Sequence, residues 1–165
     1  MKKAKIIVKT LLAGLLIAAL CGCVRNKRFD YSELNLRLRE TAPAYCFDDT
    51  SLLFDGEVYF CCYSFAGDND TLLTLKEDKT GFLERITLTM NSPPGNEGYE
   101  AFQSFALALA QVFIPDAETN RLCEETGLFD TCLLRENTLL TFSQGFWSAA
   151  LLGTDVSVTF ILSYG

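Results

Sequence analysis

Cysteine is the residue type in this chain with the greatest capacity for chemistry. The chain has 165 residues, among them seven cysteines and no histidine. Without histidine, it lacks Ser–His and Cys–His nucleophile pairs and histidine metal sites. No two cysteines have C-x-x-C spacing, so the sequence predicts neither a thioredoxin-like redox site nor a zinc ribbon. Five cysteines fall in the region that we predict to be globular, namely Cys46, Cys61, Cys62, Cys123 and Cys132.

Most of these thiols are predicted to pack as small hydrophobic side chains. Cys61 and Cys62 are neighbours in a predicted strand, where successive side chains point to opposite faces, so a bond between them would be strained. The alternative is a disulfide between Cys123 and Cys132. These two residues bracket a predicted helix end and a following strand, which would bring them within bonding range if their Cα atoms approach to about 7 Å.

Acidic and hydroxyl residues form no motif that identifies a catalytic site. Asp68-Asn69-Asp70 resembles the start of a calcium loop, but Leu72 stands where that loop needs an oxygen ligand. No serine has a G-x-S-x-G or S-x-x-K context. Carboxylates are numerous enough to form a glycosidase-like pair, but the sequence does not locate one. The sequence therefore assigns no catalytic residue, no metal and no cofactor.

The N-terminal segment has the pattern of an export signal. Four lysines within the first nine residues precede an uncharged run over residues 10–24. This run is shorter than the roughly 20 residues that a membrane-spanning helix needs. A basic flank followed by a short apolar run is typical of a secretory signal peptide. The run contains Leu20-Cys21-Gly22-Cys23, which is an aliphatic residue, a tolerant position, a small residue and a cysteine.

This tetrapeptide resembles the lipobox of bacterial lipoproteins. The resemblance covers residues 1–23 only, with Cys21 in place of the usual Ala or Ser. It implies that the Cys23 thiol receives a diacylglyceryl group and that cleavage occurs just before Cys23. Residues 1–22 would then be the signal peptide, and the mature protein would be lipid-anchored on the extracytoplasmic side of the cell membrane. Two or three acyl chains would anchor it stably.

Removal of residues 1–22 changes the charge of the chain. The segment contains four of the 14 basic residues and none of the 21 acidic ones, so the net charge goes from −7 to −11. The acidic charge, already −7 for the whole chain, argues against a general nucleic-acid binder.

Residues 23–28 form a short tether between the predicted anchor and the domain. The five residues after Cys23 span at most about 17 Å, so the domain is expected to lie close to the bilayer. The tether is either a solvated linker or a segment that contacts anionic headgroups through Arg25, Lys27 and Arg28.

Residues 29–165 are predicted to form a single α+β domain. Its core would be a mostly antiparallel sheet, with helices over about 97–113 and 117–126 on one face. Residues 31–40 are predicted as a short N-terminal helix capped by Asp30, although Leu34, Leu36 and Leu38 also alternate as in a strand. Gly127-Leu128 predicts a C-terminal helix cap. The predicted strands are 52–54, 58–65, 71–77, 82–90, 131–134, 139–143, 146–152 and 156–164, with hairpin turns at Asp55-Gly56 and over 78–81. In the strand over 82–90, one apolar face is predicted to consist of Phe82, Ile86, Leu88 and Met90.

Two features suggest an interaction surface. Aromatic residues, Trp147 among them, cluster in the C-terminal strands, where they either fill the core or form a patch that binds a peptide, a glycan or a protein. On the long helix, Leu107 interrupts a polar strip, so it is either covered by a neighbouring element or exposed to a partner. The strip consists of Glu100, Gln103, Ser104 and Gln111. The leading interpretation is a lipid-anchored binding module. The alternatives are a small envelope hydrolase that uses carboxylates and a structural accessory subunit.

Overall fold

The computed structural model describes residues 28–47, 50–64, 70–92, 98–114, 116–130 and 139–165. The predicted signal peptide, Cys23, most of the tether, the Asp68-Asn69 segment, Cys132 and the strand over 131–134 lie outside these residues. The described elements are α1 (Tyr31–Thr41), a 3₁₀ turn (Pro43–Tyr45), β1 (Leu53–Phe54), β2 (Tyr59–Ser64), β3 (Asp70–Glu77), β4 (Leu83–Met90), α2 (Tyr99–Phe113), α3 (Asp116–Thr126), β5 (Leu139–Gln144), β6 (Trp147–Gly153) and β7 (Val158–Tyr164).

The seven strands form one antiparallel sheet in the order β1-β2-β3-β4-β7-β6-β5. Two meanders, β1–β4 and β5–β7, meet where β4 pairs with β7. The helices α2 and α3 lie in the connection between the meanders. The predicted α+β class and the mostly antiparallel sheet are therefore confirmed, with three α-helices in the described part of the chain.

The first helix of the domain, α1, confirms the helical prediction for residues 31–40, and the strand alternative for these residues is wrong. The Asp30 side chain caps α1 by accepting a hydrogen bond from the backbone N–H of Glu33 at 2.8 Å. Leu34 and Leu38 are buried on one face, whereas Leu36 between them is 50% exposed. The apolar contacts thus follow the helical spacing of four residues, and the apparent alternation has no structural counterpart.

One side of each long strand contributes to the hydrophobic core. Leu73, Leu88, Phe160 and Leu151 are aligned across four strands, and all are buried. Buried residues of the three helices belong to the same cluster, among them Leu34, Leu38, Phe102, Phe105, Leu109 and Leu122. A single core therefore joins the inner side of the sheet to the helices.

The start of β4 departs from the predicted pattern. Phe82 was expected to share the buried face with Ile86, but it is 40% exposed and Leu83 is buried instead. The cause is a shift in register, because Lys76 pairs with Arg85 while the next residue, Glu77, pairs with Leu83. The extra residue in β4 turns Leu83 inward and leaves Phe82 at the surface.

The predicted cap at the end of α3 is present. Gly127 has a φ of 62°, which favours glycine. The backbone N–H of Leu128 donates to the carbonyl of Cys123 at 3.1 Å, and that of Gly127 donates to Glu124 at 3.3 Å. These two bonds define a Schellman motif, and the buried Leu128 supplies its apolar contact.

Two side chains of α2 bind the end of α3. The Leu128 carbonyl accepts hydrogen bonds from the Tyr99 hydroxyl at 3.2 Å and from Nε2 of Gln103 at 2.8 Å. Gln103 was expected in the polar strip of the helix, but it is buried. The bond to Leu128 satisfies the amide in the core and explains its position there.

Alkaline pH is expected to destabilise the domain through Tyr99. Burial raises the pKa of Tyr99 to about 12, above the value of about 10 in an unfolded chain. A raised folded-state pKa means that the stability is complete below pH ~10 and is lost as the pH rises through the folded value. The expected loss at pH 11 is about 1 kcal/mol, measured as the urea unfolding midpoint at pH 8 and pH 11. Tyr99→Phe should lose less stability over this interval, and an equal loss would contradict the prediction.

Candidate interaction surface

The buried side chains of Leu73, Leu88, Phe160 and Leu151 form the inner row of the sheet. The opposite side of the sheet carries two aligned rows of side chains. None of these ten residues is buried, and we refer to them together as the outward face. The first row is Leu72, Thr89, Thr159, Leu152 and Leu139, and the second is Thr74, Thr87, Ile161, Ala150 and Thr141.

The outward face combines hydroxyl and methyl groups. The hydroxyls of Thr89 and Thr159 lie 3.2 Å apart across two paired strands. Leu152 and Ile161 are half-buried and add apolar area beside them. Beyond one end of the two rows, Lys76 pairs with Glu84 at 3.1 Å. A surface of this composition can bury apolar groups and still exchange hydrogen bonds with a partner, as the cores of protein interfaces do.

Trp147, which the sequence suggested for an interaction surface, lies in the core. Its side chain is 5% exposed. The Trp147 ring centroid lies 4.2 Å from that of Phe113 and 5.4 Å from that of Tyr164. The ring therefore joins α2 to the inner side of the sheet, and neighbouring aromatic residues occupy the surface beside it.

Leu107 occupies an intermediate position on α2. Its side chain is half-buried and packs against the hydrophobic core. Ser104 and Gln111 on the same helix are exposed, as the predicted polar strip requires. The packing of Leu107 explains why an apolar residue interrupts the strip.

The described thiols have no arrangement suited to nucleophilic chemistry. Cys61 is buried and Cys62 is exposed, so the prediction that they point to opposite faces is confirmed. The Cys46 thiol donates to the Pro43 carbonyl at 3.1 Å. Burial raises the pKa of the Cys123 thiol, which lowers its thiolate fraction. Because Cys132 lies outside the described residues, the bridge to Cys123 stays a prediction.

Two carboxylates stabilise hairpin turns. Hydrogen bonds from the backbone N–H groups of Val58 and Glu57 lower the pKa of Asp55. The Asp78 carboxylate accepts hydrogen bonds from the Thr80 hydroxyl at 2.6 Å and the Thr80 backbone N–H at 2.8 Å, and these bonds lower the pKa of Asp78. Glu77 differs, since burial raises the pKa of its side chain. The roles of Asp55 and Asp78 are thus explained by the turns that they hold.

Arg28, predicted as the last residue of the tether, belongs to the domain. Its guanidinium group pairs with the Asp78 carboxylate. It also lies over two aromatic rings, 4.6 Å from the centroid of Tyr164 and 5.4 Å from that of Phe82. The sequence offered no local signal for these contacts, which join residues far apart in the chain.

Comparisons of this chain with protein-family models, with characterised proteins and with solved structures find no match. In the part of the chain that the structure describes, no helix combines the length and apolar character needed to cross a membrane. The same residues contain no group of three cysteine or acidic side chains that could hold a metal ion.

Proposed function

We propose that this protein is a lipid-anchored extracytoplasmic binding module whose outward face receives a protein partner. The observation that carries the proposal is the outward face itself, in which ten aligned residues of five strands remain unburied. The lipobox-like tetrapeptide ending at Cys23 supports the anchored location. Neither feature requires a cofactor.

The packing of the helices supports this use of the sheet. Buried residues of α1, α2 and α3 belong to the same cluster as the inner row, including Leu38, Phe105 and Leu122. Helices that bury their apolar faces against the inner row occupy that side of the sheet. The proposal therefore places all three helices on one face and leaves the outward face to a partner.

The dimensions of the outward face favour a protein over a peptide or a glycan. Its five strands, β3 to β7, are spaced about 4.8 Å apart, so the face is roughly 19 Å wide and its strands extend roughly 20 Å. This flat area of roughly 380 Å² is about half of the roughly 800 Å² that one side of a standard protein–protein interface buries, and it is wider than a single extended peptide strand. The ten residues include no charged side chain, as in the core of a protein interface, and no aromatic ring of the kind that forms a glycan platform.

The outward face is tested by adding charge to its centre. We expect Thr87→Lys/Ala150→Lys to reduce partner recovery from detergent-solubilised membranes at least about tenfold, because two buried, unpaired charges would oppose docking. Lysine at half-exposed sites keeps its charge in water in the free protein, so the fold should be retained. Recovery is measured by quantitative mass spectrometry of proteins that co-purify.

The matched control is Ser104→Lys/Gln111→Lys, which adds the same charge at two exposed positions of α2. This variant should keep the partner. If the Thr87→Lys/Ala150→Lys protein is folded and retains every association of the control, the outward face is not the binding surface.

A further inference from the structure

The described chain enters the domain at one end of the sheet, beside the β3–β4 turn. Arg28 is held there by the carboxylate of Asp78 and by the rings of Phe82 and Tyr164. The next residue, Phe29, accepts a hydrogen bond at its carbonyl from the backbone N–H of Leu83 at 2.7 Å. The point at which the tether leaves the domain is therefore determined by contacts on both sides of the chain.

Two exposed phenylalanines flank this point. Phe82 is 40% exposed in the β3–β4 turn, and Phe146 is 46% exposed in the β5–β6 turn. The Phe146 ring stacks on Tyr164 with a centroid distance of 5.6 Å. Phe82, Arg28, Tyr164 and Phe146 thus form one continuous surface group, which we call the Arg28 cluster.

Phe82 and Phe146 occupy turn positions where polar residues are usual. Hairpin turns are ordinarily polar, and a large aromatic ring in a turn leaves apolar area in water. Lys79, in the same turn as Phe82, is exposed. An exposed aromatic group beside basic side chains is the composition of protein segments that lie at the membrane–water interface.

We infer that the Arg28 cluster contacts the phospholipid headgroup region of the membrane in which Cys23 is anchored. This inference rests on the proposed lipid anchor. An extended chain from Cys23 to Arg28 spans at most about 17 Å, so this end of the domain cannot move far from the bilayer. Arg25 and Lys27 in the tether add positive charge where anionic headgroups attract it.

Charge distribution places the contact on one part of the sheet end. The β1–β2 turn at the same end carries the exposed acids Asp55 and Glu57, which an anionic surface would repel. Asp78, in contrast, is paired with Arg28. The contact therefore centres on Phe82 and Phe146 and leaves the β1–β2 turn in water.

The inference defines the orientation of the domain. The β3–β4 and β5–β6 turns face the bilayer, so the strands stand on the membrane with their opposite ends, including the β6–β7 turn, farthest from it. Val156 in that distant turn is 71% exposed. In this orientation the outward face stands beside the membrane surface, where a partner can approach it.

The single tryptophan of the chain is a native reporter of this contact. Trp147 lies at the Arg28 end of the sheet, with its ring centroid 5.4 Å from that of Tyr164. The test uses the mature lipidated protein in vesicles of phosphatidylethanolamine and phosphatidylglycerol that contain a small fraction of headgroup-dansylated phosphatidylethanolamine. Energy transfer to the dansyl headgroups does not need direct contact with the tryptophan, so it can report on a residue in the core. We expect this transfer to quench Trp147 emission, and we expect Phe82→Ser/Phe146→Ser to weaken this quenching about twofold or more, because the domain loses its interfacial aromatic groups.

Two further variants control for structure. Val156→Ser removes an exposed apolar residue at the distant end and should leave the quenching unchanged. Phe82→Tyr/Phe146→Tyr keeps interfacial aromatic rings and should retain the quenching, which separates membrane contact from a general effect on folding. Thermal unfolding of each variant verifies that the domain is folded.

The outcomes distinguish the inference from the proposed anchor. If the wild-type protein carries no lipid and fails to float with the vesicles, the anchor is wrong. If it floats but Trp147 is not quenched, or if the serine variant is quenched as strongly as wild type, the inference is overturned. If the serine variant instead loses chemical crosslinking between copies while its quenching is unchanged, the Arg28 cluster is a self-association surface and the inference is again overturned.

Discussion

Replacing Cys23 by alanine is expected to block both lipid attachment and removal of the signal peptide. The lipobox resemblance assigns both lipid attachment and cleavage to this residue, so the variant should keep its signal peptide and lack acyl chains. Two or three acyl chains anchor a protein stably, so the wild-type protein should begin at an acylated Cys23, whereas the variant should carry no lipid and retain residues before position 23. Mass spectrometry of the N-terminus measures both effects.

Cys21→Ala is the matched control for this experiment. It changes a neighbouring cysteine at the tolerant position of the tetrapeptide, so lipid attachment at Cys23 should continue. Mature wild-type protein that begins at another residue and carries no lipid would refute the anchor. Such a result would leave the fold and the outward face unaffected, because both depend on residues after the tether.

Replacing Asn35 by leucine is expected to cause a large loss of stability. The buried Asn35 side chain binds the backbone of Phe47 twice: its Nδ2 donates to the Phe47 carbonyl, and its Oδ1 accepts from the Phe47 N–H, the latter at 2.9 Å. Leucine would leave both backbone groups without these partners. Each buried, unsatisfied group costs about 1–3 kcal/mol, so the expected loss for the two groups is about 2–6 kcal/mol.

Urea unfolding followed by Trp147 fluorescence measures this loss. Domains of this size are stable by only about 5–15 kcal/mol, so the unfolding midpoint should fall markedly. Asn120→Leu is the control, since it makes the same chemical change at an exposed position of α3. Equal effects of the two substitutions would show that the hydrogen bonds to Phe47 contribute little.

The features of the fold that were predicted from the sequence depend on local interactions. Asp30 caps α1 through an N–H three residues away. The Asp55–Val58 and Asp78–Phe82 turns close through bonds within their own hairpins. Gly127 ends α3 because only a residue tolerant of positive φ completes the cap. In each case, the donor, the acceptor and the conformational constraint lie within a few residues of one another, so they can be recognised from the sequence alone.

The features that the sequence did not predict, such as the exposure of Phe82 and the burial of Gln103, result from contacts between segments that are distant in the chain. A register shift exposes Phe82, although its position in the apolar alternation predicted burial. Gln103 is buried because the Leu128 carbonyl accepts its hydrogen bond across the interface between two helices.

By itself, the sequence determined the candidate anchor, the class of the fold and most of its helices, strands and turns. The tertiary structure decided which side of the sheet is buried, where Trp147 lies, and that Arg28 joins Phe82 and Tyr164 in one surface group. The physical reason is that an amphipathic pattern identifies the side chains to be buried but not the side chains that they contact. Those contacts depend on strand order and register, and both result from the packing of the whole core.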